Sequence, residues 1–341
     1  MTQRKIDLIG IGSPVVDLVA EIDDQTLGQI PGEKGGMELI DADQLRKLKG
    51  LIEGVPVRSP GGSAGNTTFG LAQMGLSCAF LGKLGKDDDG SFYQDEFSLR
   101  GGDRSRFKID AEQPTACCIS FVTPDAERTM RTHLGAAIGL SPEEISESDF
   151  AGCRHAHVEG YLLFNRDLLT GILKTAKAAG VQISLDLGSF EVVKTALDVL
   201  PEILEQYVDI VFANEEEAEA FCDSPEPEVG LEAFGRLCST VAVKIGKDGA
   251  WLKQADEKVH VPAMEVANVI DTTGAGDYWA AGFLYGRLKG FDLAICGRMG
   301  ALMGGQVVQH LGAALPHHTW CNITDQMQQL AAKPAAESPS N

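Results

Sequence analysis

Positive charges are scarce in this sequence, and long hydrophobic runs are absent. The 29 Lys and Arg residues face 49 Asp and Glu residues, which gives a formal net charge of −20 at pH 7. A surface this acidic repels phosphate backbones and anionic lipids, so nucleic acids and membrane surfaces are disfavoured as partners. No run of 18 apolar residues occurs, and no signal peptide precedes the first strand-like segment, so we expect a cytoplasmic protein.

Cysteine pairs of the metal-binding or redox type are also missing. None of the eight cysteines lies in a CxxC pair, and most of them lie in apolar runs. Cys117 and Cys118 are adjacent on a predicted strand, so their side chains point to opposite faces. We therefore expect buried free thiols in a reducing compartment rather than a disulfide framework.

Two common nucleotide-binding motifs are absent as well. Gly-Lys occurs at Gly82, Gly85 and Gly246, but Leu or Asp follows each time, so there is no Walker A loop. After the first predicted strand, GIGSPVV lacks the third glycine of a dinucleotide fingerprint. That absence argues against a nicotinamide-dependent oxidoreductase.

Short apolar segments alternate with helical segments over most of the 341 residues. The predicted buried strands are IDLIGIG, CAFLGKLG, HAHVEGYLL, VQISLDL, VDIVFAN and TVAVKIG. Helical periodicity occurs between them in SAGNTTFGLAQMG, DLLTGILKTAKAAG and NEEEAEAFC. This alternation predicts an α/β fold with a doubly wound, mainly parallel sheet flanked by helices.

Two segments, residues 14–40 and 105–134, interrupt this alternation with strand-like patterns and no helix between them. We assign them to a small β-sheet lid, and we assign the rest to an α/β body (1–13, 41–104 and 135–330). Residues 331–341 contain few apolar side chains and are predicted to form a disordered tail. An exposed edge of the lid could pair with a second lid, so a homodimer is an alternative to a monomer.

A run of small residues followed by one carboxylate lies in NVIDTTGAGDYWAAGF, just before a helix-like segment. The N–H groups of Gly274, Ala275 and Gly276 would lie at the positive end of that helix, where small residues let an anion approach the backbone. Phosphoryl transfer needs such an anion hole, and Asp277 could accept the proton of an attacking hydroxyl. The alternative is a glycine-rich turn in which Asp277 only stabilises the helix dipole, by about 0.3–1 kcal/mol.

Two further segments each have a functional and a structural interpretation. In SPGGSAGNTTFGLAQMG, Gly62 permits an unusual backbone and Asn66 could bind polyol hydroxyls, or Ser63 could simply cap a helix. In FANEEEAEAF, Asn214 and Glu217 could hold Mg²⁺ through waters or could form a capping box. Taken alone, these residues favour the structural alternatives.

Isolated polar residues add weaker candidates. Asp17 lies in a strand at the expected hinge of the lid and could bind hydroxyls, while Arg128 could contact phosphate. His155 and His157 share one face of a strand, but no third ligand accompanies them, so we do not expect a metal site there.

Together these segments resemble the ribokinase-type (PfkB) carbohydrate and nucleoside kinases over roughly residues 6–315. DTTGAGD at 271–277 matches the C-terminal signature of that family, GGSAGNTTFGLAQMG its N-terminal signature and NEEE its N-x-x-E element. GIGSPVVDLVAEIDD and ERTMRTHLGAA look most like adenosine kinases and their bacterial relatives. Ser13 departs from the Asn expected in many adenosine kinases, and no aromatic pair for an adenine ring can be located, so a sugar such as ribose or fructose stays an alternative.

The resemblance implies ATP- and Mg²⁺-dependent phosphorylation of a hydroxymethyl group on a ribofuranose-like substrate, with an adenosine-type nucleoside favoured. Asp277 would be the general base, and the N–H groups of Gly274, Ala275 and Gly276 would form the anion hole. A catalytically silent nucleoside-binding relative is a further alternative, although a pure binder needs no base.

The resemblance also implies roles for the remaining candidates. Substrate binding falls to Asp17, Gly62, Asn66 and Arg128, nucleotide binding to Asn214, Lys244 and Gly246, water-mediated Mg²⁺ binding to Glu217 and Asn214, and a monovalent cation such as K⁺ to Asp271 and Thr273.

Overall fold

The computed structural model describes residues 5–52, 54–125 and 127–332. The strands are β1 (Ile6–Ile11), β2 (Val15–Glu21), β3 (Met37–Leu39), β4 (Val57–Gly61), β5 (Cys78–Leu81), β6 (Lys83–Gly85), β7 (Lys108–Asp110), β8 (Ala116–Val122), β9 (Arg128–His133), β10 (Cys153–Glu159), β11 (Gln182–Asp186), β12 (Ile210–Asn214), β13 (Thr240–Lys244), β14 (Ala250–Gln254) and β15 (Glu257–Val261). The helices are α1 (Asp24–Leu27), α2 (Ala42–Lys49), α3 (Ser63–Gln73), α4 (Asp88–Leu99), α5 (Glu147–Phe150), α6 (Arg166–Ala178), α7 (Phe190–Ala196), α8 (Leu200–Tyr207), α9 (Glu215–Cys222), α10 (Pro227–Gly235), α11 (Ala275–Lys289), α12 (Leu293–Val307) and α13 (His317–Ala332).

The main sheet has eight strands in the order β15-β14-β13-β12-β11-β10-β1-β5. Six neighbouring strands of this sheet, β13, β12, β11, β10, β1 and β5, are parallel. The strands β14 and β15 extend the sheet as an antiparallel hairpin. The predicted α/β fold with a mainly parallel sheet is confirmed. In such a sheet the carboxyl ends of the parallel strands lie along one edge, where ligands bind.

Helices cover both faces of this sheet. One core packs residues such as Phe80 and Phe212 against α3, α11 and α12, and the other packs Ile9, Val158 and Val211 against α6, α8 and α10. Burial on both faces explains why the strands are almost continuously apolar. In the described part of the chain, no helix is long and apolar enough to cross a membrane.

A separate five-stranded sheet, the lid sheet, has the order β3-β9-β8-β2-β4. A small lid is therefore present, but its strands differ from the predicted segments. β4 belongs to the lid sheet although residues 41–104 were assigned to the body, and β7 pairs with β6 instead of joining the lid sheet. β4 contains Pro60 and lies at the sheet edge, where a proline is tolerated but an alternating pattern is weak.

The predicted disordered tail also differs at its start. Residues 331 and 332 are the last two residues of α13, and residues 333–341 lie outside the described residues.

Candidate active site

The first turn of α11 forms the centre of the candidate site. Gly274 has a φ of 76°, a left-handed conformation that favours glycine, and no side chain caps the helix. Among the described residues, the N–H groups of Gly274 and Gly276 have no hydrogen-bond partner, whereas the N–H of Ala275 donates to the carbonyl oxygen of Thr272 at 3.1 Å. Of the three predicted anion-hole donors, Ala275 is thus already engaged in the turn.

The carboxylate of Asp277 is fixed from the neighbouring helix. Ser63 Oγ donates to Oδ1 at 2.8 Å, and Asn66 Nδ2 donates to Oδ2 at 2.9 Å. Thr67 Oγ1 adds a 3.0 Å bond to the main-chain oxygen of Asp277. These contacts differ from the expected ones, because Asn66 was assigned to substrate hydroxyls and Ser63 to a helix cap. The cap residue of α3 is Gly62, with no side-chain cap bond.

Gly62 has a structural reason for being glycine. Its φ is 90°, and a Cβ at this position would lie 2.2 Å from the carbonyl oxygen of Ser13. The close approach brings the segment after β1 against the start of α3, whose first turn carries Ser63 and Asn66.

Burial raises the pKa of Asp277 to about 6, and the nearby Asp186 adds to the increase, while the bonds from Asn66 and Ser63 and the charge of Lys244 oppose it. A carboxyl group with this pKa is ionised at neutral pH and can accept a proton. Its pKa nevertheless lies close enough to neutrality for efficient general-base catalysis.

Lys244 and Asp186 form an ion pair beside the first turn of α11. Lys244 Nζ lies 2.9 Å from Asp186 Oδ2, and the two side chains are 14% and 6% exposed. Burial alone would lower the pKa of Lys244, but the carboxylates of Asp186 and Glu217 outweigh that effect and raise it. Sequence analysis missed Asp186, although a carboxylate at the carboxyl end of a parallel strand is a usable signal.

Glu159 is a second carboxylate that sequence analysis missed. It is 2% exposed and ends β10. Its Oε1 accepts the N–H of Ser13 at 2.8 Å, and its Oε2 accepts the N–H of Ala64 at 3.3 Å. Burial raises the pKa of Glu159 to about 7. The side chain holds the turn after β1 against the start of α3 and so helps to place the residues that contact Asp277.

Asp17 of the lid sheet lies near this centre, as expected. Burial raises its pKa to about 7, an increase that Arg128 opposes and Asp277 reinforces. Asp17 pairs in register with Ser59 of β4 and with Cys118 of β8. The face of the lid sheet that carries Asp17 therefore looks toward Asp277.

Arg128 connects the lid sheet to the loop before α11. Its guanidinium is paired with the carboxylate of Asp271 and donates to Thr273 Oγ1 at 2.9 Å. Asp271 also accepts the N–H groups of Thr273 and Gly312 at 3.0 and 2.7 Å. Asp271 and Thr273, which were predicted to bind a monovalent cation, thus bind Arg128 in this structure. Arg128 was predicted to contact phosphate and instead contacts these two residues.

The predicted nucleotide-binding residues line one cavity of about 660 Å³, a volume typical of small-molecule sites. Asn214, Lys244 and Gly246 line it together with Gly276 of the first turn of α11. Small and aliphatic residues that sequence analysis did not identify also line it: Val266, Val269, Ala301, Gly304 and Gly305.

Asn214 and Glu217 form the capping box that was the structural alternative. Asn214 Oδ1 accepts the N–H of Glu217 at 2.8 Å, and Glu217 Oε2 accepts the N–H of Asn214 at 2.9 Å. Within the described ranges, no group of three His, Cys, Asp or Glu residues could hold a metal ion. Asn214 and Glu217 therefore fit a Mg²⁺ ion that is bound through waters and substrate phosphates, which is the usual arrangement for that ion.

Comparisons with known proteins identify the family of this chain. A model of the pfkB family of carbohydrate kinases matches residues 38–320. The crystal structure of an adenosine kinase from Sinorhizobium meliloti is 34% identical, with a TM-score of 0.82, and the match covers 95% of this chain and 99% of that one. The adenosine kinase of Saccharomyces cerevisiae is 24% identical, covering 91% of this chain and 96% of its own.

Other relatives are named for different substrates. An aminoimidazole riboside kinase of Salmonella typhimurium is 29% identical over 67% of this chain and 74% of its own. A crystal structure of a putative ribokinase II from E. coli, 23% identical with a TM-score of 0.76 over 95% of this chain and 99% of that one, contains ATP and Mg²⁺. The chain therefore belongs to the PfkB family of carbohydrate kinases and is a sugar or nucleoside kinase.

Proposed function

We propose that this kinase transfers the γ-phosphoryl group of ATP to the hydroxymethyl group of an adenosine-type nucleoside, with Asp277 as the general base. The observation that carries the proposal is the placement of an oriented carboxylate beside free backbone N–H groups. Asp277 is held by Ser63 and Asn66. Next to it in the chain lies the N–H of Gly276, which has no hydrogen-bond partner among the described residues.

The residues of this chain divide the work of phosphoryl transfer. Asp277 accepts the hydroxymethyl proton as the substrate oxygen bonds to phosphorus and the bond to the ADP oxygen breaks. The N–H groups of Gly274 and Gly276 receive charge on the phosphoryl oxygens. Mg²⁺, when bound, neutralises the phosphates, and Asn214 and Glu217 would orient its waters.

Substrate orientation would come from the lid sheet and from the start of α3. Asp17 faces Asp277 across the cleft and can accept hydrogen bonds from ring hydroxyls. The backbone of Gly62 and the side chain of Asn66 lie on the opposite side, next to Asp277. Positioning of this kind lowers the entropic part of the barrier, because phosphoryl transfer asks little covalent chemistry of the protein.

The cleft face of the lid sheet supports a nucleoside over a free sugar. Residues paired across neighbouring strands share a face, so the pairings from Asp17 through Cys118 and Thr132 place Leu39 on the face that looks toward Asp277. Met37 and Met130 pair on the same face, and Met37 and Leu39 are 57% and 63% exposed. Exposed apolar side chains suit a flat base, whereas ribose needs none.

Tyr161 supplies an aromatic ring on the body side of the cleft, which sequence analysis did not locate. It follows the end of β10 by two residues and is 45% exposed. Burial raises the pKa of its hydroxyl to about 12, and the charge of Asp277 contributes to the increase, which places the ring near the Asp277 carboxylate. A nucleobase held between Tyr161 and the lid sheet would leave the ribose of the nucleoside beside Asp17 and Asp277.

A panel of acceptors tests the choice of substrate. ADP release from ATP and Mg²⁺ is measured with adenosine, inosine, guanosine, ribose, fructose and fructose phosphates, and we expect turnover with a nucleoside. Turnover confined to ribose or fructose would overturn the nucleoside assignment but keep the mechanism. No turnover with any acceptor would instead favour a silent nucleoside-binding protein.

A matched pair of leucine variants tests the base-binding surface. Leu39→Ser should raise the nucleoside KM several-fold, because it removes apolar surface from the cleft face of the lid sheet. Leu99→Ser changes another exposed leucine, at the end of α4, and should leave KM unchanged. Equal KM values for both variants would show that the lid sheet does not recognise the nucleobase.

Two further properties belong to the same proposal. A monovalent cation such as K⁺ at Asp271 and Thr273 would share the carboxylate with Arg128, so activity should rise when K⁺ replaces a bulky organic cation at equal ionic strength. The strand β3 is an edge of the lid sheet and all three of its residues are exposed, so it can pair with a second copy. Sedimentation equilibrium distinguishes such a homodimer from a monomer.

We also propose that the protein works in a reducing, cytoplasmic environment. Its eight cysteines are unpaired thiols in the structure, and unpaired thiols are typical of that compartment. Cell fractionation tests this location.

A further inference from the structure

We propose that Lys244 is a second catalytic group, whose ammonium, held in place by Asp186, receives negative charge from the transferring phosphoryl group beneath the first turn of α11. The inference rests on the proposed function, since it needs Asp277 and the anion hole to be the reacting centre.

The sheet topology places the ammonium at this point. Asp186 and Lys244 are the last residues of β11 and β13, which flank β12 in the parallel part of the main sheet. Lys244 Nζ lies 2.9 Å from Asp186 Oδ2. A Cβ built on Gly276 would lie 3.1 Å from Lys244 Nζ, so the ammonium lies directly beside Gly276 of the anion hole.

The hydrogen bonds of the ammonium leave it available to a ligand. A lysine ammonium has three donors, and in the described part of the chain Asp186 is the one hydrogen-bond acceptor recorded for Lys244. Lys244 lines the same cavity of about 660 Å³ as Gly276. The remaining donors can therefore reach a group bound in that cavity, which a purely structural ion pair would not require.

The surrounding charges give the ammonium a clear task. The charged groups around Asp277 and Lys244 come from several elements: Asp17 of β2, Glu159 of β10, Asp186 of β11, Glu217 of α9 and Lys244 of β13. Four of these five are acids, and phosphate adds more negative charge when it binds. Arg128 is paired with Asp271 and Thr273. Lys247 also lines the cavity, but Lys244 is the lysine whose ammonium lies beside Gly276 of the anion hole.

Two opposite changes of the pH profile separate a catalytic role from a structural one. Lys244→Met should lower kcat by about 10²–10³-fold, the usual effect of removing a transition-state donor, with little change in the acceptor KM. It should also move the acid limb of kcat/KM to higher pH, because Lys244 lowers the pKa of Asp277. Asp186→Asn should move that limb to lower pH, because Asp186 raises the same pKa.

The controls keep the result interpretable. Lys86→Met removes an exposed lysine of the body surface and should leave kcat and the pH profile unchanged. Lys244→Arg keeps the charge and should recover part of kcat. If Lys244→Met does not fold, as judged by circular dichroism and thermal unfolding, the test passes to Asp186→Asn, which removes the partner that holds the ammonium. Wild-type kcat in that variant overturns the proposal.

Wild-type kcat and an unmoved acid limb in a folded Lys244→Met variant would overturn the role of Lys244. If Asp277→Asn is inactive while Lys244→Met is fully active, the proposed base stands and the present inference alone fails. If both variants are fully active, the proposed reacting centre itself is wrong.

Discussion

Asp277 combines the properties that a general base needs. Its carboxylate is oriented by Ser63 and Asn66, it lies at the positive end of α11, and burial raises its pKa to about 6. The orientation of the carboxylate depends on a distant part of the chain, because Ser63 and Asn66 are more than 200 residues away from Asp277 in the sequence.

The pH dependence of kcat/KM follows from this pKa. The base must be ionised, so activity should be constant above about pH 7 and should fall as the pH drops through about 6. Burial raises the pKa values of Asp17 and Glu159 to about 7, so the measured acid limb belongs to the coupled group. A steady-state pH profile measures it.

Ser63→Ala provides the matched change for this prediction. It removes a hydrogen bond to the ionised carboxylate, so the acid limb should move upward by about one pH unit. Ser91→Ala removes a similar hydroxyl bond on α4 and should not move it. An acid limb at the ordinary pKa of an exposed carboxyl group, near pH 4, would contradict this account of Asp277.

The site residues that the sequence predicts are those in continuous motifs. Gly274, Gly276 and Asp277 stand together in DTTGAGD, whereas Glu159 and Asp186 are single acidic residues at the ends of apolar segments, and Ser63 belongs to a different motif from Asp277. Their roles depend on contacts with distant segments, such as the 2.8 Å bond from Ser13 to Glu159. No local pattern carries that information, so reasoning from one sequence assigned Ser63 to a cap and overlooked the two acids.

Among the secondary-structure elements, strands and helices with a strong pattern were predictable and edge strands were not. β14 and β15 meet in a two-residue turn at Ala255 and Asp256, with Ala255 at a φ of 51°. That turn lacks the Asn-Gly or Asp-Gly sequence that marks a hairpin. β4 was missed because VRSPG is short and contains a proline.

The first turn of α11 gives a prediction about an element. Gly276→Val should reduce kcat/KM by more than about 10²-fold, because the added carbons point toward Lys244 Nζ and fill the anion hole. Valine has a higher helix propensity than glycine, so the melting temperature should not fall in parallel. Activity assays and thermal unfolding measure the two effects.

Gly290→Ala is the control at the other end of α11. Gly290 has a φ of 84° and open space around it, so alanine should cost about 1 kcal/mol of stability through backbone strain and leave kcat/KM unchanged. Normal activity in Gly276→Val would contradict the proposed anion hole.

For the molecule as a whole, an ion pair joins the lid sheet to the body. Arg128 of β9 reaches Asp271 and Thr273 in the loop before α11. The fold and a separate lid sheet could be predicted from the alternation of elements along the chain. This contact could not, because the sequence assigned all three residues to ligands.

Arg128→Ala should loosen the lid sheet. We expect a several-fold higher acceptor KM and faster amide hydrogen exchange in β8 and β9, because the side chains joined by this pair are only 16% and 8% exposed. Arg166→Ala breaks a more exposed pair with Asp198 on the body and should change neither quantity, as expected for a surface ion pair. Unaltered exchange in Arg128→Ala would show that this pair does not hold the lid sheet.

The most direct test of the central claim is the turnover of Asp277→Asn with ATP, Mg²⁺ and the preferred acceptor, compared with Asp256→Asn at an exposed turn. Acceptor affinity, measured by equilibrium binding, should stay within a few-fold of the wild type in both variants. In Asp277→Asn, kcat should fall by about 10²–10⁴-fold, the range for loss of a general base, whereas Asp256→Asn should match the wild type. Turnover of Asp277→Asn within tenfold of the wild type would contradict the assignment of Asp277 as the base.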